Sequence, residues 1–248
     1  MPPRALSPVG VALVDKPAGP SSFAIVAALR RRTRARTGHA GTLDPFATGL
    51  LVLLSGAATR LAPCFVGLDK RYVTDVDLTS TTSTGDPEGE LLERHPAPVQ
   101  SELEASLEHL RGEVELPIPA ASAVKIGGER AYKLARRGVT VEMPLRRSLV
   151  HSLDVISYTG ESVRLALHVN SGTYVRSIAQ ALGGHCTTLR RTAVGPFDVL
   201  EAAEVEHAVL LPAGETLGRL TAEALYRVPA AVRAGVLALD GPTNGSAA

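Results

Sequence analysis

The stretch Gly38-His39-Ala40-Gly41-Thr42-Leu43-Asp44-Pro45-Phe46-Ala47-Thr48-Gly49 constrains this chain more than any other. Its glycines permit positive φ and let backbone approach a ligand closely. Pro45 pushes Asp44 out of the α region into an extended conformation. The segment is therefore a loop that presents a carboxylate, and a helix cannot run through it. It follows Arg30, Arg31, Arg32, Arg34 and Arg36, a cluster that suits a phosphate-bearing partner and equally suits the negative C-terminal end of a helix. On local chemistry alone a turn with Asp-Pro in it and a catalytic carboxylate both remain open.

The flanking segments predict the frame. Gly10 to Asp15 reads as a short buried strand, stopped by Lys16-Pro17-Ala18-Gly19-Pro20. Ser21 or Ser22 caps a helix to about Arg32, with Phe23, Val26 and Leu29 spaced to face a core. Leu50 to Leu54 is a continuous apolar run, a core strand. From Lys70 to Leu78, Tyr72, Thr74, Val76 and Leu78 share one face of a strand. Ser101-Glu102-Leu103-Glu104 has the form of a capping box, opening a helix with Leu103, Leu107 and Leu110 buried and Gly112 at its end. Residues 123–138 hold a short basic helix with Tyr132 packed inward. Val163, Leu165, Leu167 and Val169 alternate with Arg164, Ala166, His168 and Asn170, a one-sided strand. Ser171-Gly172-Thr173 turns that strand into a helix running to Gly183. Arg176 then falls in the first turn, where a cation opposes the helix dipole and hints at another role.

Composition narrows the function classes. With 248 residues, 45% of them hydrophobic, the chain can bury a substantial core. Its formal net charge of +1 says nothing about nucleic acid, but the basic residues gather in patches at 30–36, 70–71, 136–137, 146–147 and 190–191. Cys64 and Cys186 lie far apart without metal-ligand spacing, so neither a zinc site nor a disulfide is expected. No apolar run approaches the roughly 18 residues of a membrane span, and the N-terminus lacks a signal-peptide core. A cytoplasmic protein with no membrane partner is the expectation. Residues 1–9 are Pro-rich and loose.

The Gly38 to Gly49 stretch resembles the signature loop of the TruB family of tRNA pseudouridine synthases, G-H-x-G-x-L-D-P-x-A-T-G, without a gap and at every fixed position. Other blocks resemble the same family: the D-K-P-x-G-x-S-S turn at 15–22, K-x-Y at 70–72, Ser122 to Gly138, S-x-G-T-Y-[IV]-R ending at Arg176, and L-R-R-x-x-x-G-x-F from Leu189 to Phe197. Together they cover most of residues 10–200. Two stretches depart from the pattern: the polar loop from Thr81 to Gly89 keeps Asp86 but alters its neighbours, and Ala120-Ala121 replaces a larger Met-Tyr pair.

The resemblance implies an α+β pseudouridine synthase fold, a mixed and mainly antiparallel sheet flanked by helices with a central basic cleft. It implies an isomerase that turns the T-loop uridine at tRNA position 55 into pseudouridine after base flipping. Asp44 is then the catalytic aspartate, Arg176 its charge partner held by Asp86, and Tyr72 the stacking tyrosine and proton acceptor. Tyr174 and Leu189 line the uracil pocket, His39 fills space in the T-loop or meets a phosphate, and Arg190 and Arg191 lie near RNA. The partner is the T-arm stem-loop of tRNA, with no cofactor, metal or protein partner required. The domain reading is a catalytic domain over 1–210 and a short C-terminal appendage with a disordered tail over 211–248, too short for the PUA domain of many relatives. Two other classes stay open: a catalytically silent tRNA chaperone using the same cleft, and a carboxylate-based glycosidase with Asp86 as second acid, provided Arg176 does not engage it.

Overall fold

A computed structural model describes residues 8–122, 124–137, 139 and 141–239. The expectations for the first seven residues, for the tail from 240 and for the side chain of Tyr132 lie outside these residues. The chain divides into one unit of Met1–Lys70 with Arg190–Ala248 and another of Arg71–Leu189. The strand His185–Val194 contributes residues to both.

In the first unit the strand Gly10–Lys16 runs antiparallel to Thr48–Ser55, in register from Gly10 opposite Ser55 to Lys16 opposite Gly49. Leu50, Leu51, Val52, Leu53 and Leu54 are all fully buried, which is why this strand reads as an unbroken apolar run with no alternation. Val11, Leu13, Leu50, Val52 and Leu54 share a core with Phe65 and Phe197, whose rings lie 5.8 Å apart. Side chains of this size each stabilise by about 1.5–3 kcal/mol when buried. The same core takes in Ala213, Leu217, Ala224 and Val236 from the helices Ala213–Gly218, Ala222–Tyr226 and Ala230–Leu237.

The first helix, Ser22–Thr33, is capped by Ser21, whose hydroxyl accepts the Ala24 N–H. Phe23 does not face the core as its spacing suggested; it is 73% exposed. The buried stripe is Ser22, Ile25, Val26 and Leu29, and the polar Ser22 occupies the place because its hydroxyl has two backbone partners waiting, described below.

In the second unit the strand Lys70–Asp77, which enters it at Arg71, is followed by Ser162–Val169, Leu145–Tyr158 and Gly112–Pro117 as successive neighbours. The last two pairings are antiparallel, Val150 opposite Val169 and Leu145 opposite Pro117. Leu145–Tyr158 escaped the sequence reading because register shifts after Val150 and Val155 interrupt its period, leaving only Ser148, Val150 and Leu153 buried. The helix over 100–109 begins earlier than the expected box. Glu102, not Glu104, reaches back to accept the Val99 N–H, so Val99 is the cap, and the Leu103, Leu107, Leu110 stripe is buried as expected. Among the described residues no helix is long and apolar enough to cross a membrane.

Candidate active site

The loop bearing Asp44 is held by its backbone. Lys16, at the end of the first strand, is fully buried and its Nζ donates to the carbonyls of Pro17 (2.9 Å), Pro45 (3.0 Å) and Ala47 (2.7 Å). Gly19 N–H also donates to Pro45 O at 2.8 Å. One residue before Asp44, the Ser22 hydroxyl donates to Leu43 O and accepts from Leu43 N–H, both at 2.8 Å, closing a two-way clasp between helix and loop. Arg191 completes the frame: Nε donates to Leu50 O at 2.7 Å, and the terminal nitrogens reach Thr42 O at 3.4 Å and Gly41 O at 3.1 Å. Gly49 closes the loop at φ 101°, where a Cβ would fall 2.2 Å from Arg191 O, so no other residue fits there. Asp44 itself is half-buried, in irregular backbone, as Pro45 requires.

Cations crowd this unit. Lys70 is buried and donates to Val66 O (2.7 Å) and Leu68 O (2.5 Å). Burial first, then the charge of Arg191, bring its pKa down to about 7. His39 lies on the short strand Thr37–His39, and burial, with Arg191 second, lowers its pKa below the usual 6.5. It therefore carries little positive charge at pH 7. Arg190 differs from its neighbour: its side chain is 42% exposed and pairs with Asp15 through both terminal nitrogens, at 3.0 and 2.7 Å. Arg30, Arg31, Arg32, Arg34 and Arg36 are exposed. Arg32 is also engaged with the carbonyls of Val205 and Ala208.

In the second unit Arg176 is the second helical residue of Val175–Ala181, with half-buried Tyr174 as N-cap. Its guanidinium is 2% exposed and meets Asp86 Oδ2 at 3.1 Å, Thr84 O at 2.7 Å and Ala121 O at 3.0 Å. Asp86 is equally enclosed: its Oδ1 accepts the Thr84 hydroxyl at 2.5 Å and Glu88 N–H at 3.0 Å. A dipole-opposing arginine in a first turn is thus matched by a buried carboxylate. The helix is anchored by the Ser177 hydroxyl on Pro117 O at 2.6 Å. Tyr72 and Leu189 are both buried, on the strands Lys70–Asp77 and His185–Val194. Because Arg176 engages Asp86, the condition for a second glycosidase carboxylate there is not met.

Of the residues singled out from sequence, Asp44, His39, Arg190 and Arg191 belong to the first unit, and Tyr72, Asp86, Tyr174, Arg176 and Leu189 to the second. Sequence reasoning missed the anchoring by Lys16, Ser22 and Arg191. For Arg191 a signal existed: Leu189, Arg191 and Ala193 are buried while Arg190 and Thr192 are only half-buried, an alternation legible as a strand. Nothing local marks Ser22.

Residues 30–175 match the TruB family pseudouridylate synthase N-terminal domain. The chain belongs to the TruB family. It is 38% identical over 236 residues to the tRNA pseudouridine synthase B of Azoarcus sp. (strain BH72), covering 92% of this chain and 73% of that protein. With the enzyme of the same name from Leifsonia xyli subsp. xyli (strain CTCB07) the identity is 43% over 231 residues, covering 85% and 76%. A chain of the crystal structure of a Cbf5-Nop10-Gar1 complex superposes with a TM-score of 0.57 at 31% identity, over 76% of this chain and 50% of that one. This chain thus spans about half the length of that solved relative. TruB membership makes the protein an isomerase acting on tRNA uridine, and its α+β architecture is the pseudouridine synthase fold.

Proposed function

We propose that this TruB member isomerises the T-loop uridine at tRNA position 55, with Asp44 as the catalytic carboxylate. The observation that carries this reading is the immobilised backbone on both sides of Asp44, which leaves a half-buried carboxylate on a loop whose carbonyls are already bonded. Such pre-organisation serves a group that must meet one atom of a substrate.

The reaction breaks the N1–C1′ bond, turns the uracil, forms C5–C1′ and moves the C5 proton to N1 through a base. Nothing is oxidised or reduced. The aspartate acts by attack at C1′ or C6, or by stabilising the cleaved sugar, and in each route it must be ionised. An adjacent arginine lowers a carboxylate pKa by about 1–3 units; the family pattern gives that part to Arg176, with Asp86 behind it. Flipping the uridine costs a few kcal/mol, and stacking on an aromatic returns about 1–3 kcal/mol, the part given to Tyr72, with proton acceptance. Tyr174 and Leu189 border the uracil, His39 packs into the T-loop as a neutral ring, and Arg190 meets the RNA backbone. The substrate is the T-arm stem-loop in the cytoplasm, and the chain needs no protein partner.

The test is incubation of the purified chain alone with an unmodified T-arm stem-loop, followed by nucleoside analysis. Pseudouridine confined to the T-loop position is expected. An unaltered transcript would end the proposal, and pseudouridine elsewhere would end its site assignment.

A further inference from the structure

Arg190 and Arg191 are adjacent in sequence, and the resemblance puts both near RNA. The structure separates them. Arg191 is 1% exposed, so its guanidinium has no surface to offer a phosphate. Its three hydrogen bonds go to Gly41 and Thr42, ahead of Asp44, and to Leu50, after it. Its own backbone lies in register with Gly49, at the start of the strand Thr48–Ser55 that follows the loop. One side chain therefore ties the two ends of the loop together, with the aspartate between them.

We infer that Arg191 is a positioning residue for the catalytic carboxylate, holding the Asp44 loop in its reactive geometry through the carbonyls of Gly41, Thr42 and Leu50, and that it does not bind RNA. This rests on the reading of Asp44 as the catalytic group.

Chemistry favours arginine for the task. Its planar fork carries five N–H donors in fixed directions and stays charged, whereas a lysine is a point charge on a flexible stem. Burying a charge against neutral carbonyls is costly compared with an apolar side chain. Stability alone does not call for it here, and fixing carbonyls from both sides of Asp44 with one side chain does.

The experiment measures kcat, KM and the salt dependence of KM for full-length Arg191→Met and Arg191→Lys on a T-arm substrate, with thermal unfolding of each. A loop displaced by an ångström is expected to lose on the order of 100-fold in rate, so Arg191→Met should lower kcat by about that factor. Its KM should stay within roughly threefold, the signature of an interaction that acts in the transition state. In Arg191→Lys kcat should also fall, because a point charge on a flexible stem does not hold three carbonyls in fixed directions. If Arg191→Met does not fold, Arg191→Lys alone decides. Unchanged kcat in Arg191→Lys, or raised KM with a flatter salt dependence in either variant, overturns the inference. A wild type that forms no pseudouridine overturns the reading of Asp44 and this inference with it, whereas an active wild type matched by Arg191→Lys overturns the inference alone.

Discussion

Arg191 in the first unit and Arg176 in the second are both enclosed, yet they are neutralised differently. Arg191 bonds to the carbonyls of Gly41, Thr42 and Leu50, while Arg176 has two carbonyls and the carboxylate of Asp86. Carbonyl dipoles satisfy a guanidinium's donors but cancel little of its charge, and a carboxylate does both. The remaining charge is felt nearby: His39 and Lys70 each hold their proton less readily beside Arg191, burial being the larger cause in both. The first unit thus keeps a positive potential around a fixed loop. The second sets its cation against a buried carboxylate.

If the carbonyl-held loop is the catalytic half, Asp44→Asn should abolish turnover while tRNA still binds. Nucleoside analysis beside a filter-binding assay reads both, and residual isomerisation at a wild-type rate would remove the loop from the chemistry. A silent chaperone would behave alike with either residue.

Next in size is Asp86→Asn. It removes the buried carboxylate that Arg176 meets at 3.1 Å. Breaking a buried pair from one side costs about 3–5 kcal/mol, so the urea midpoint should drop sharply. A loss below about 1 kcal/mol, typical of exposed pairs, would erase the distinction between the two arginines.

Burial and the charge of Arg191 together can be read through Lys70. Its folded pKa of about 7 lies below its unfolded value near 10.5, so the depressed group contributes stability above 10.5 that is lost as pH falls toward 7. Below about 7 both states carry the proton and the loss stops. Between pH 9.5 and 7.5 unfolding free energy should therefore fall by roughly 1 kcal/mol per pH unit on this account. Lys70→Met should flatten that slope, and a slope the same in both proteins would mean the amine stays charged.

The smallest effect belongs to Arg190→Ala. Its partly exposed pair with Asp15 should be worth at most about 1 kcal/mol of stability. If Arg190 meets a phosphate, the salt slope of tRNA binding should fall by about 1; an unchanged slope would place it off the RNA path and leave it, like Arg191, a residue of the fold.

Much of the frame was legible because its signals are local. The alternation from Val163 to Val169 and the apolar run from Leu50 to Leu54 became the strands Ser162–Val169 and Thr48–Ser55. Phe23 misled because apolar character at helical spacing does not reveal that Leu43 offers Ser22 both a donor and an acceptor. Leu145–Tyr158 was hidden by its register shifts.

Residue order by itself determined the loop, its carboxylate and the family, since glycine and proline restrict φ and ψ wherever they stand and a motif needs no partner to be read. Only the tertiary structure decided what became of the charges. Arg191 meets Gly41 across 150 positions of chain and Arg176 meets Thr84 across 92. Whether a cation ends on carbonyls, on a carboxylate or in water depends on which distant segment lies against it, because burial and pairing, unlike backbone preference, are properties of contacts.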